Sequence, residues 1–366
     1  MIEQLQTKRI EGLDFARALA MFGMLIVNFK IIMGAAGNGP DWLIWFTGLF
    51  EGRASATFVM LAGIGVALMT RKARNGGELS SIKENRMKLW KRSAFLFILG
   101  LLLYAADWTG DILHYYGVYM LIASFLIAAS TKRMIILSSL FLITSQVLQV
   151  TMNYLKGWHP EQPFMEYLDF WTIEGFIRNL LFNGYHPVFP WVCFFLLGMI
   201  LGRFDLSKKA IRNKMLFFSI FLLITIEVLS KLLMRLSLSI LDGNSAEFLF
   251  QTGPIPPNIL YILSNSASAI IVIVASIYIV EKFAGQWLIK ALIQTGQLTL
   301  THYVSHVFIG VGILTLFNRL ENQTLAFSLI FTILFFVGSI FFSVLWRNKF
   351  KRGPIEWGMR KMTNFN

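Results

Sequence analysis

The chain contains a single cysteine, Cys193, and only 14% of its 366 residues carry charge. One thiol excludes an intrachain disulfide and a cysteine-based metal cluster. A soluble domain is about 25% charged, so an ordinary water-exposed surface is excluded as well. Acidic residues are the scarcer kind, 20 against 33 Lys and Arg, for a net charge of +13. Walker-type and dinucleotide-binding glycine loops, a GxSxG elbow and an HExxH pair are all missing, so nucleotide-driven, serine-hydrolase and metal chemistry are not expected. No fixed-length repeat, low-complexity tract or separate soluble domain is visible. No small-residue cleavage site stands out near the first apolar run, so no cleavable leader is expected.

Hydrocarbon is what the sequence has: 56% hydrophobic and 15% aromatic residues, with a mean hydropathy of +0.62. Apolar runs approaching the roughly 20 residues that cross a bilayer recur along the whole length. They predict an all-α, polytopic transmembrane helix bundle forming one integral membrane domain over 1–366. About ten spans are expected, at 11–33, 53–70, 92–106, 111–130, 134–155, 187–202, 215–240, 258–280, 291–316 and 325–345. Ala54, Ser55, Ala56, Ala62, Gly63 and Gly65 give the second span a small-residue face for close helix packing. Such faces also allow a homodimer, although no span marks itself as the interface.

The charges sort by side. With the amino terminus inside and spans alternating, the inner segments hold Lys8, Arg9, eight basic residues of 71–92, Lys132, Arg133, five of 203–214 and six of the tail. The outer loops hold Arg53, Lys156, Arg178 and Arg319. This positive-inside asymmetry predicts cytoplasmic termini. It explains the basic pI by anionic lipid, without nucleic acid.

Polar residues concentrate in Tyr104–Tyr119, YAADWTGDILHYYGVY, between two apolar runs. Asp111, His114 and Tyr115 are spaced to share one helix face. Asp111 can equally cap that helix within an aromatic interface belt. A carboxylate beside an imidazole is a general-base arrangement, so Asp111 and His114 are candidate catalytic residues, with Asp107 close by. His186, before Pro187 and Pro190, can join from a facing helix. His302 and His306 share a face of the ninth span. They are expected to be neutral rings hydrogen-bonded to neighbouring helices, since no carboxylate completes a metal set. Asp14 and Arg17 can pair at the start of span one, with Asn28 three turns deeper. Lys231 and Arg235 can snorkel to the headgroups.

Four stretches resemble the YeiB-like membrane protein family: RIEGLDFARALAMFGMLIVN (9–28), GDILHYYGV (110–118), GQLTLTHYVSH (296–306) and FKRGPIEWGMRKM (350–362). Asp14, Arg17 and Asn28 match the first motif of the family, and Asp111, Tyr116 and Gly117 the second. Thr301 and Tyr303 fall on the third, and Gly353, Pro354, Glu356, Trp357 and Arg360 on the fourth. Ala18, His302 and Met359 depart from it. The family is similar to transmembrane acyltransferases typified by heparan-alpha-glucosaminide N-acetyltransferase. The animal enzyme uses a histidine in the loop after span one; 34–52 here has none.

The resemblance implies a multi-pass protein of the bacterial inner membrane that moves an acyl group, with acetyl-CoA as co-substrate, to an extracytoplasmic sugar or other small-molecule acceptor. Asp14, Arg17, Asn28 and Arg92 are then the candidate donor-binding residues, and His114 or His186 the base. A transporter or flippase for a small solute or lipid-linked precursor is the alternative, and a non-catalytic membrane partner the third reading.

Overall fold

The computed structural model describes residues 9–161 and 163–363. Its elements are α1 (Glu11–Ile32), α2 (Asp41–Gly48), α3 (Arg53–Met69), α4 (Arg71–Gly76), α5 (Leu79–Ala105) and α6 (Leu113–Phe125). Next come α7 (Thr131–Thr151), α8 (Ile173–Arg178), α9 (Val188–Leu201), α10 (Lys209–Ser237), α11 (Gly243–Phe250) and α12 (Ile259–Phe283). The last are α13 (Trp287–Gly296), α14 (Thr299–Ser305), α15 (Gly312–Leu316), α16 (Leu325–Lys349) and α17 (Pro354–Thr363). One isolated bridge, Trp158 with Tyr167, is the extended pairing among the described residues. The all-α polytopic bundle is therefore the architecture.

α1 is the axis. Glu11 and Asp14 in its first turn and Lys30 in its last complement the helix dipole. Its sides pack on α3, α12, α13 and α16. The apolar windows of α1 and α12 are 61% buried, whereas those of α7 and α10 are 17% buried. The outward face of α10 shows Phe217, Phe218, Phe221, Ile224 and Val228. Such a face is stable only in hydrocarbon. The small-residue face expected of α3 meets α9: a Cβ on Gly63 would lie 2.1 Å from the Phe195 carbonyl oxygen, and one on Gly198 2.1 Å from that of Met60.

Helices occupy all ten expected regions, but fewer qualify as spans. Seven are long and apolar enough to cross a membrane, or up to eight if the bent pair Ile173–Asn183 and Val188–Leu201, at 50°, counts as one. The regions 92–106 and 111–130 depart for different reasons. α5 is long but begins with the charged segment LSSIKENRMKLWKR. α6 has 13 residues, about 20 Å of rise against about 30 Å of hydrocarbon. The expected span 291–316 is broken at Gln297 and Leu298 into α13 and α14, then continues as a π-helical segment, His306–Val311, and α15.

An ion pair between α3 and α10 falls outside the sequence-derived set. Glu227 of α10 meets Arg53 at 2.9 Å, and also accepts from Ser264 at 2.6 Å and Thr252 at 3.1 Å. An isolated acid inside the apolar run 215–240 is the signal that marks it.

Candidate functional site

Polar groups collect at both ends of α1. At its carboxyl-terminal end is a cavity of about 310 Å³, with Asn28, Ser55, Asp107, Trp108, His186 and Trp191 among its lining residues. Asp107 reaches it from a backbone with φ of +61°.

Asp111 lies directly behind this wall, fully buried. Its Oδ2 accepts from the His114 backbone amide at 3.0 Å and from His114 Nδ1 at 2.8 Å. Its Oδ1 accepts from the Tyr303 hydroxyl at 3.2 Å. Both sequence readings of Asp111 thus hold together: it satisfies a first-turn amide of α6 and orients the imidazole. With Asp111 Oδ2 as the acceptor of this bond, Nδ1 carries the ring proton. His114 Nε2 is then a buried lone pair without a partner among the described residues. Gly100 makes room for the pair, since a Cβ there would sit 2.4 Å from Asp111 Oδ2.

The network continues to the cavity. Tyr303 Oη accepts from Trp108 Nε1 at 3.3 Å and from the Ile112 amide at 3.1 Å. The Tyr303 carbonyl accepts from His306 Nδ1. His306 Nε2 is consequently an acceptor, and Asn28 Nδ2 donates to it at 3.1 Å. An unbroken series of contacts thus links Asn28 at the cavity wall to His306, Tyr303, Asp111 and His114. The other ninth-span histidine, His302, meets Ser343 of α16 at 2.7 Å, so both rings are hydrogen-bonded to neighbouring helices.

His186 takes a different position from His114. It lines the cavity, packs its ring 4.5 Å from Trp191, and leaves Nδ1 without a partner among the described residues. Tyr115 stands between the two histidines, with ring centroids 3.9 Å from His114 and 6.0 Å from His186. Its hydroxyl donates to Asn179 at 2.5 Å.

The amino-terminal end of α1 is basic. Two cavities of about 510 and 570 Å³ share Arg92 and Arg360 as walls. Acids there are already engaged: Glu84 pairs with Lys88 at 2.5 Å, and Glu356 faces α14. Arg92 directs Nη1 to the Met69 sulfur at 3.3 Å and leaves Nε buried without a partner among the described residues. Close by, Asp14 pairs with Arg17 at 2.6 Å, as the spacing predicted, and with Arg9 at 2.7 Å. Gln297, at the break between α13 and α14, donates to the same carboxylate at 3.4 Å.

Glu356 anchors the tail. Its carboxylate accepts from the Leu300 amide at 2.8 Å, the Thr301 amide at 3.1 Å and the Thr301 hydroxyl at 2.5 Å. It thereby satisfies the first-turn amides that the helix break exposes. Burial raises its carboxyl above the usual value, against these hydrogen bonds, which lower it.

The sequence-derived candidates therefore fall into three places. Asp14, Arg17 and Arg92 lie at the basic end. Asn28 lies with His186 at the opposite cavity, not with them. Asp111 and His114 are enclosed behind that cavity. Trp191, Tyr185 and Arg360 complete the two sets of walls. The aromatic pair carried no motif signal.

A family model described as heparan-alpha-glucosaminide N-acetyltransferase, catalytic, matches residues 9–240. A second, described as protein of unknown function (DUF418), matches residues 201–366. The chain is 26% identical over 390 aligned positions to uncharacterized protein YeiB of Escherichia coli (strain K12), covering 96% of this chain and 95% of that one. The first model covers well over half the sequence and takes in α1 through α10. The chain belongs to the YeiB-like family of multi-pass membrane proteins, which is related to the heparan-alpha-glucosaminide N-acetyltransferase family.

Proposed function

We propose that the protein transfers an acyl group from a coenzyme A thioester at the basic end of α1 to a hydroxyl or amine acceptor, of the sugar or envelope-glycan class, in the cavity at the other end. The observation that carries this is the pairing of unlike cavities at the two ends of one helix. Those at the basic end are walled by guanidinium groups whose neighbouring acids are engaged; the one at the other end is lined by aromatic and polar side chains, His186 among them. Arg92 and Arg360 neutralise donor phosphates, for which a planar guanidinium is well matched. From Arg17 to Asn28 is 11 positions of α1, about 16 Å of rise. The buried Tyr116 hydroxyl, without a partner among the described residues, is a polar group of the bundle interior that can meet the thioester arm.

In the transfer, the acceptor oxygen or nitrogen attacks the thioester carbonyl and the C–S bond breaks. The coenzyme A thiolate leaves, and the acceptor proton passes to the imidazole of His186, which lines the cavity. His186 is preferred to His114 as base because its ring lines the cavity. Asp111 and His114 act as positioning residues, through Tyr303 and Trp108, on the cavity wall. The bundle works as one domain in a bacterial inner membrane, with both termini on the donor side.

The test is transfer of radiolabelled acetyl from acetyl-CoA to glucosamine-type acceptors by the protein in liposomes. His186→Ala should lower the rate at least about 100-fold, the usual minimum for a lost general base, with acetyl-CoA binding retained. Full activity in the variant contradicts the assignment. Transport remains the second reading. It is favoured by the 50° bend before α9 and by the π segments at 179–183 and 306–311, since broken helices frame many transporter sites. Substrate accumulation in vesicles without acyl transfer would select it.

A further inference from the structure

We infer that the acceptor is an amphiphile drawn from the surrounding leaflet, with a hydroxyl or amine head in the cavity and an apolar chain at its mouth, rather than a freely diffusing sugar. The inference rests on the acyltransferase reading and specifies its acceptor. α1 runs towards this membrane face, so Asn28 lies one turn deeper than Ile31 and Ile32. The deep part holds Asn28, His186 and the Trp191 ring. Ile31 and Met165 line the same cavity while 39% and 50% exposed, which places apolar side chains on its rim. Exposed Asp107 stands on the side of the α5–α6 turn. A water-borne sugar gains little from an apolar rim; a chain carrying a polar head gains at both levels.

The apolar exposure does not stop at the mouth. Beyond Met165, the segment leading into α8 exposes Leu168 and Trp171, and α8 itself exposes Ile173 and Ile177, with Ile173 at 83%. Aromatic and aliphatic side chains at the end of a membrane bundle sit at the lipid interface. They put the mouth beside the leaflet, so a lipid-borne acceptor reaches it by lateral diffusion. At about 310 Å³ the cavity is at the small end of ligand pockets, enough for a head group and the first part of a chain.

The test uses the full chain in nanodiscs and an octyl glucosaminide with a photoreactive diazirine at the chain end. Adducts are mapped by peptide mass spectrometry, with unlabelled alkyl glucosaminides and free glucosamine as competitors. Adducts are expected on the peptides containing Ile31 and Met165. Alkyl glucosaminides should compete at concentrations at least tenfold below glucosamine, with a gain of about fourfold for each methylene that enters the cavity. Ile31→Ser and Met165→Ser, both on the exposed rim, should flatten that chain-length dependence without loss of folded protein. Equal competition by glucosamine, or adducts confined to the lipid-facing α7 and α10, would overturn the inference. Acetyl transfer is measured in the same discs. Rim adducts without any transfer would support the amphiphile site while removing the transferase reading; transfer with no preference for the alkyl acceptor would do the reverse.

Discussion

Asp111 accepts three hydrogen bonds with none of its surface exposed, and each donor belongs to a group with no other role for that proton. Truncation to alanine leaves those donors buried and unpaired, at about 1–3 kcal/mol for each one that cannot relax. Asp111→Ala is therefore expected to lower the thermal unfolding midpoint in detergent markedly, followed by tryptophan fluorescence. Asp111→Asn should fall between it and the wild type, because the amide oxygen still accepts from His114 while its NH2 cannot accept from Tyr303. Gly100→Ala should mimic the alanine variant, since its Cβ would press on Asp111 Oδ2 and on the His114 amide. A midpoint unchanged in Gly100→Ala would mean that α5 and α6 separate easily at this point. The pairing of Asp111 with His114 was legible in the sequence from their separation of three, although Asp111 precedes α6 and meets its first turn from outside, not from a shared helix face. The Tyr303 contact was not, since it joins positions 192 apart through a tertiary fold. The enclosure of His114 was equally hidden: spacing gives a face, but what covers that face depends on Tyr104, Tyr115 and Phe170 from three different stretches.

At the scale of elements, the break between α13 and α14 organises the basic end. The apolar run continues through GQLTLTHYV, so hydropathy alone reads one span. What divides it is a polar commitment: Gln297 reaches Asp14, and Glu356 takes the freed amides of Leu300 and Thr301. The motif containing Glu356 was visible in the sequence, but its partner lies 55 positions upstream. Glu356→Ala should release α17 from α14, read as increased mobility of a spin label introduced by Met362→Cys. Glu356→Gln should keep most of the docking, since an amide still accepts from the backbone and donates to Thr301. The sign of the pH dependence follows from burial. The folded-state pKa of Glu356 is raised, so its contribution is complete below the ordinary carboxylate range and fades as pH climbs through the raised value. Label mobility should therefore increase as pH rises through that raised value, above the ordinary carboxylate range, and Glu356→Gln should abolish that change. Mobility independent of pH in the wild type would contradict the assignment.

Over the whole molecule, α1 joins the basic end, where Asp14 and Arg17 pair, to the cavity lined by Asn28 and His186. Apolar runs made the bundle legible, and the charge bias marked one end as basic. Span number was less legible, because a long charged helix such as α5 and a short one such as α6 pass for spans when only local hydropathy is weighed. Arg92, Asp14 and Arg17 were read from the sequence as belonging to the basic end, and they do. Asn28 was grouped with them by motif, yet helical rise carries it to the other cavity. The claim on which the functional account turns is that the Arg92–Arg360 pole receives an acyl-CoA. Calorimetric titration of acetyl-CoA into the purified protein, beside Arg92→Ala and Arg360→Ala, tests it most directly. Saturable binding that weakens at least tenfold in each variant is the expected result. No binding to the wild type, or equal binding by all three proteins, would contradict it.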